Sequence, residues 1–323
     1  MASPNSVFTE LVTTTFRNHR DTLIDNVSKN NALLAYLKRK KKMRTEKGGL
    51  SIVTPLEYAE NGTYQRYSGY DLLNIQPSDV FSAAEFDWKQ IALHVTASGR
   101  ELRVNSGKDQ IIKLSKSRIK NAMNTFKNQF SVDLYSDGSL TNQVNGIQAL
   151  VADTPTNTVG GISSNTWTFW KNKVQSAAAP LQGGGAITPG STTMESLMLP
   201  LWLELVRGDD KPDLIVMSNE YFSYFEQSQT PNRRYTSDEI GKAGFDAMKY
   251  KSADVIFDGN SGIPAAHAYF MNTDYMEVVA HSDANLSVVE EMRPTNQDAA
   301  IIPIIWMGNL VISNRALQGV MKA

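Results

Sequence analysis

The amino-acid sequence predicts an α+β fold. Three patterns carry that expectation. Residues 108–135 repeat apolar side chains at spacings of three and four (Ile112, Ile119, Met123, Phe126, Phe130, Leu134), as one long amphipathic helix does. Residues 86–95 alternate apolar and polar, as a half-buried strand does. The run Pro212-Asp-Leu-Ile-Val-Met217, followed by Ser218-Asn219 and Glu220-Tyr-Phe-Ser-Tyr-Phe225, reads as a buried strand leading into a helix.

Composition narrows the chemistry. The chain has 323 residues, 41% hydrophobic and 20% charged, enough for one large core or two modest ones. It has no cysteine, which removes disulfides, thiolate metal sites and thiol nucleophiles. The four histidines, His19, His94, His267 and His281, show no i,i+3 or i,i+4 pairing. No apolar run approaches the roughly 20 residues of a membrane-spanning helix, and the polar start lacks a secretory signal, so no membrane partner is expected and the protein should stay where it is made. The net charge of −1 conceals a segregation: residues 38–47 hold seven Lys/Arg against one acid, leaving 25 basic and 32 acidic residues elsewhere.

In chain order, a Thr/Asn-rich beginning leads to a short amphipathic helix, Asn30-Asn-Ala-Leu-Leu-Ala-Tyr-Leu37, that runs into Lys38, Arg39, Lys40, Lys41, Lys42 and Arg44. Gly48-Gly49 should break it. Leu50, Ile52, Leu56 and Tyr58 then alternate towards Asn61-Gly62, a hairpin-turn signal, with residues 63–75 as the returning strand. This flap carries Tyr58, Tyr64, Tyr67 and Tyr70 and few aliphatics, too thin to own a core, so it should pack on something else. A phase change near Gln90 suggests a bulge in the following strand, with His94 on a sheet face.

The long helix, about 40 Å at 1.5 Å per residue, should end near Ser136-Asp-Gly138. Residues 153–164, rich in Thr, Asn and Gly, mark a domain boundary. Beyond it come a Trp-rich helix over 167–178, a flexible loop at Gly183-Gly184-Gly185, and a helix opened by the capping box Thr192-x-x-Glu195 and kinked at Pro200. Strands are expected at 254–257, 267–271, 286–289 and 300–313, the last two as extended β arms.

Catalytic signatures are missing from the sequence. The glycine cluster lacks the Lys-Ser/Thr of a phosphate loop, and no nucleophile elbow or His-Glu-x-x-His occurs. Asp209, Asp210 and Asp213 read as turn caps, and Arg207-Gly208-Asp209 as a helix stop. An enzyme built on Ser218 or on these aspartates would lack a nucleophile, base and orienting group in one set, so no catalytic residue, cofactor or metal is assigned. The basic run has three readings: salt-dependent phosphate binding, a solvated helix end, or pairing with acidic neighbours in an oligomer.

The order of a basic helix, a thin β flap, a strand, a beam-like helix, an α/β unit and a return to long strands resembles the major capsid proteins of tailed double-stranded DNA bacteriophages, the Hong Kong 97-type fold. Local phrases carry the resemblance: Tyr58-Ala-Glu-Asn-Gly-Thr63, Tyr67-Ser-Gly-Tyr70, Ala84-Glu-Phe-Asp-Trp-Lys-Gln90, Leu134-Tyr-Ser-Asp-Gly138, Lys211-Pro-Asp-Leu-Ile-Val216 and Trp306-Met-Gly-Asn309. It implies an N-terminal arm (1–46), an extended loop (47–83), a peripheral domain with a spine helix (84–150 and 275–317) and an axial domain (151–274 and 318–323). It also implies pentamers and hexamers of an icosahedral head enclosing DNA, with the tyrosines and the basic residues named above as intersubunit contacts. The loop at Gly183 and residues 227–238 would absorb the two ring sizes. Expected partners are further copies, a separate scaffolding protein, a portal, a cement or decoration protein and non-specifically bound DNA on the inner face, assembled in the host cytoplasm into a virion. No crosslinking residue is assigned. An encapsulin, a shell of similar fold around a cargo enzyme, is the alternative.

Overall fold

A computed structural model describes residues 31–104, 108–229, 247–258, 262–290, 292–293 and 295–323. The expected Thr/Asn-rich beginning and most of the 227–238 loop lie outside these residues.

Two sheets organise the chain. In the first, strands β1 (Met43–Glu46), β12 (Met276–His281) and β14 (Ala299–Ile312) lie side by side; β4 (Lys89–Ser98) pairs with the other edge of β14, and β13 (Ser287–Val288) completes five strands. The ten-residue β4 runs against β14 from Ser98↔Ala299 to Lys89↔Gly308 without interruption, so the bulge expected near Gln90 is absent. The phase change instead marks the break at Asp87–Trp88 between β4 and the preceding strand, β3 (Phe81–Phe86). His94 lies on the exposed face of β4. The expected arm at 286–289 is only the two-residue β13, whereas β14 is a 14-residue strand.

Between these strands the chain forms the short helix α2 (Gly99–Val104) and then the beam α3 (Lys108–Asp133), 26 residues and so roughly 39 Å long. Its inward stripe, Ile119, Met123, Phe126 and Phe130, is buried. Phe130 stacks on Phe126 at 5.2 Å and meets Trp306 of β14 edge-on at 5.0 Å, which fixes the beam across the first sheet. After α3 the chain doubles back: Gly146 passes so close to Ser136 that an added Cβ would lie 2.1 Å from its backbone nitrogen, so only glycine fits before α4 (Ile147–Leu150).

The second sheet has six strands in the order β7 (Lys173–Ser176), β15 (Gly319–Lys322), β11 (His267–Met271), β8 (Leu214–Met217), β10 (Ala253–Phe257), β9 (Ala247–Tyr250). Its central strands β15, β11, β8 and β10 are buried on both faces. Ile215, Met217, Val255, Phe270 and Met321 pack under helices α5 (Met194–Leu205) and α6 (Asn219–Ser228). Their neighbours Leu214, Val216, Ile256, Tyr269, Met271 and Val320 join the core shared with the first sheet. This double burial is why these strands read as continuous apolar runs.

Several local expectations change. The segment 167–178 is a single 3-10 turn (Thr168–Trp170) followed by β7, because pairing with β15 claims its backbone. Thr193 and not Thr192 caps α5, and it makes no side-chain capping bond; Thr193 Oγ1 donates to Thr188 O, and Glu195 Oε1 accepts from Gln229. The capping box does not form. Helix α5 runs through Pro200, and the Ser196 carbonyl that this proline leaves without its helical donor accepts from Gln182 Nε2 at 3.2 Å. Gly208, at φ +63°, turns the chain at Arg207–Asp210, three residues past the helix end. The triple glycine at 183–185 is at positive φ with open space around each residue.

Within the described residues the chain crosses between the sheets three times, at 151–172, 272–275 and 313–318. Buried polar side chains stitch these crossings together. Arg315, fully buried, donates to Leu150 O (2.7 Å), Ser164 Oγ (2.5 Å), Asn157 Oδ1 (3.1 Å) and Asn172 Oδ1 (3.2 Å). All four acceptors are neutral, and burial lowers the guanidinium's pKa to about 10. Gln318 and Asn272 exchange a reciprocal pair, Asn272 N to Gln318 Oε1 (2.9 Å) and Gln318 Nε2 to Asn272 O (3.0 Å).

Candidate intersubunit surface

The amphipathic helix α1 (Ala32–Arg39) stops before the basic run is finished. Lys41 takes φ +58°, Lys41 N–H bonds to Lys38 O and Lys42 N–H to Leu37 O, a Schellman stop made without glycine. Lys42 is therefore outside the helix, and β1 follows, parallel to β12. The break expected at Gly48-Gly49 falls nine residues late.

Helix α1 is docked between the two sheets. Leu33, Leu34, Tyr36 and Leu37 are buried, and the Tyr36 hydroxyl reaches Asp213 O at 3.0 Å. Burial, then the Asp213 and Asp254 carboxylates, push the Tyr36 phenol far above its ordinary pKa. The basic side chains meet acids of their own chain: Arg39–Asp254 (3.2 Å), Lys40–Asp213 (3.4 Å), Lys42–Asp274 (3.1 Å) and Arg44–Glu277 (3.4 Å). Three buried leucines stabilise the docking by about 1.5–3 kcal/mol each, and partly exposed ion pairs by about 1 kcal/mol or less. Apolar burial holds the helix, and charge sets its direction. Asp213 also accepts from Thr273 N (2.8 Å) and Oγ1 (2.6 Å), and Asp210 from the Tyr275 hydroxyl (3.0 Å), so two of the three turn aspartates are structural clamps. Among the described residues no group of His, Asp and Glu has the arrangement of a metal site. Ser218 is buried, with no partner to its hydroxyl; its backbone N–H bonds to His267 O (2.9 Å), but both ring nitrogens of that histidine are engaged by Ala265 O and Asp153.

The flap divides into a base and a tip. Strand β2 (Ile52–Glu57) pairs antiparallel with β3, from Ile52↔Phe86 to Glu57↔Phe81, so the returning strand is 81–86 and not 63–75. With six residues per strand the ribbon is about 20 Å long. Its inner face, Ile52, Leu56, Ala84 and Phe86, is buried in the core of its own chain. The ribbon lies on the turn between β5 (Thr158–Val159) and β6 (Ile162–Ser163): Glu85 N–H donates to Gly160 O (3.0 Å), and a Cβ on Gly160 would sit 2.8 Å from that of Ala84. Tyr58 stacks on Phe169 at 5.6 Å and meets Trp167 edge-on at 6.0 Å. Partial burial and the neighbouring Asp79 carboxylate raise its phenol pKa.

The tip, residues 59–79, is built the other way round. Its internal bonds are polar: Gly62 N to Ser78 Oγ (3.1 Å), Asn74 Nδ2 to Gly62 O (3.2 Å), Gln65 Nε2 to Leu72 O (3.0 Å) and Thr63 N to Asn61 Oδ1 (3.0 Å). Its apolar side chains point out: Tyr70 and Leu72 are 105% and 95% exposed, and Tyr64, Tyr67, Leu73 and Ile75 are exposed with them. Of the four tyrosines named from sequence, Tyr64, Tyr67 and Tyr70 belong to this surface and Tyr58 to the chain's own packing. Leu72, Leu73 and Ile75, missed among the candidate contacts, were hidden by the reading of 63–75 as a paired strand; unpaired, they are exposed. A cleft of about 480 Å³ opens at the base, between residues 56–60, Phe169, Trp170, Arg207, Ser313, Asn314 and Ala316.

Solved structures share this architecture. The capsid subunit of cyanophage A-1(L) superposes with a TM-score of 0.67 at 15% identity, over 87% of this chain and 90% of that one. The chain has the fold of Hong Kong 97-type phage capsid proteins. The satellite phage P4 procapsid subunit, in an assembly with its size determination protein, superposes at 0.54 with 12% identity over 94% and 90% of the two chains. The capsid subunit of Myoviridae phage XM1 does so at 0.53 with 11% identity over 89% and 91%. These neighbours are capsid proteins and not enzymes. No family model matches the sequence, and no curated protein matches it.

Proposed function

We propose that this chain is the shell subunit of a phage head, closing with copies of itself into pentamers and hexamers around double-stranded DNA. The observation that carries the reading is the inside-out tip: polar bonds within, at least six large apolar side chains without. A concentration of exposed apolar side chains of that kind marks an interaction site, and a tip reaching beyond its own core suits a subunit that overlaps its neighbour. The capsid fold supports the same reading. The virion is then the protein's location, with a scaffolding protein, portal and decoration protein as further partners. DNA would meet the inner face through charge alone.

Electron microscopy of the purified chain across salt and concentration, with and without a co-expressed scaffold, tests this. Closed facetted shells are expected, and particles recovered from infected cells should show the absorbance ratio of packaged nucleic acid. A protein cargo would favour a nanocompartment, and failure to form shells with the scaffold present would overturn the reading.

A further inference from the structure

His267, the first residue of β11, stands at the junction of the two sheets. Its Nδ1 lies 2.7 Å from the carbonyl oxygen of Ala265, and its Nε2 lies 2.9 Å from Oδ2 of Asp153, in the first crossing. Both partners are acceptors. A neutral imidazole has one N–H and can serve only one of them, whereas the imidazolium serves both. The charged groups acting on the ring are Asp153 and Lys322, the latter opposite His267 on β15; Tyr269 stacks beside it at 6.2 Å as a neutral phenol.

We propose that His267 is a doubly protonated clasp that ties the first crossing to the six-stranded sheet and opens as pH rises, making the junction between the sheets pH-sensitive. Burial pulls the imidazole pKa down, but the bonds to Asp153 and the Ala265 carbonyl outweigh it and Lys322, leaving it above the ordinary 6.5. A raised pKa in the folded state contributes stability that is complete below 6.5 and is lost as pH climbs through the folded value. Asp153 is held below its ordinary 3.8, first by the hydrogen bond from His267, so its share is lost only as pH falls through that lower value. The clasp is closed between those limits.

The test is nitrogen NMR of the unassembled full chain labelled at its four histidines, with His267→Gln assigning the resonance. Both ring nitrogens should be protonated at about pH 6, with a titration midpoint above the ordinary value of about 6.5, and Asp153→Asn should lower that midpoint. Alongside, the ratio of unfolding constants between His267→Gln and the parent chain should shrink towards one as pH rises through the midpoint. A single protonated nitrogen at pH 6, or a midpoint that Asp153→Asn leaves in place, would overturn the proposal. The measurement on the parent chain and Asp153→Asn stands even if His267→Gln fails to fold.

Discussion

The base and the tip of one hairpin obey opposite rules. At the base, Ile52, Leu56, Ala84 and Phe86 are no more than 5% exposed, whereas at the tip Tyr70 and Leu72 are essentially fully exposed. The base belongs to the fold of the single chain, and on the proposed function the tip belongs to contacts with other copies. Composition does not separate them, since each sets three large aliphatics (Ile52, Val53 and Leu56; Leu72, Leu73 and Ile75) and two or three aromatics (Phe81 and Phe86; Tyr64, Tyr67 and Tyr70) among polar residues. The presence of a floor does: residues 157–170 lie beneath the base, and among the described residues none covers the apolar side chains of the tip.

The difference can be broken most forcefully from below. Arg315→Met leaves Leu150 O, Asn157, Ser164 and Asn172 without their buried donor, and should cost about 3–5 kcal/mol in urea unfolding. Phe86→Ala, inside the base, should cost about 3–4 kcal/mol by transfer and cavity terms, read from the same transition. Gly160→Ala sets a Cβ against Ala84 at a residue with φ +59°, and about 1–3 kcal/mol should be lost. Leu72→Ser and Tyr70→Ser, at the tip, should move subunit stability by no more than about 0.5 kcal/mol while lowering the yield of shells in sedimentation. A tip substitution that destabilised the subunit as much as Phe86→Ala would erase the distinction.

What was legible in the sequence follows the same division. The beam α3 and strands β8, β10 and β11 announce themselves because burial on a fixed face imposes a period, as Met123, Phe126 and Phe130 or Leu214–Met217 do. The first strand of the flap was legible in Ile52 and Leu56, which point inward, whereas Leu50, read as its first inward residue, is fully exposed and outside it. Its return was misplaced because the segment that pairs with β2 is Phe81–Phe86, and the Asn61-Gly62 signal is absorbed by side-chain bonds to Thr63 and Ser78. The stop of α1 was misread because Lys41 adopts a left-handed conformation where glycine is usual. The helix assigned to 167–178 lost to a long-range strand partner, Gly319–Lys322, that local patterning does not reveal. Arg315 carried no signal at all: a single arginine in a loop becomes a hub only when the stretch 150–172, more than 140 residues earlier, folds around it. The basic run was legible as a charge anomaly, but its acidic partners, Asp213, Asp254, Asp274 and Glu277, lie more than 170 residues away.

The division between base and tip is tested most directly by replacing residues 62–77 with a short glycine linker. Asn61 and Ser78 already approach each other, Ser78 Oγ lying 3.4 Å from Asn61 Oδ1, so the closure leaves β2 and β3 paired. Thermal unfolding and electron microscopy of this variant, with scaffold supplied, should show a subunit that melts like the parent chain yet builds no stable shells. Shells indistinguishable from the parent's, or a subunit that no longer folds, would contradict the assignment of the tip to contacts between copies.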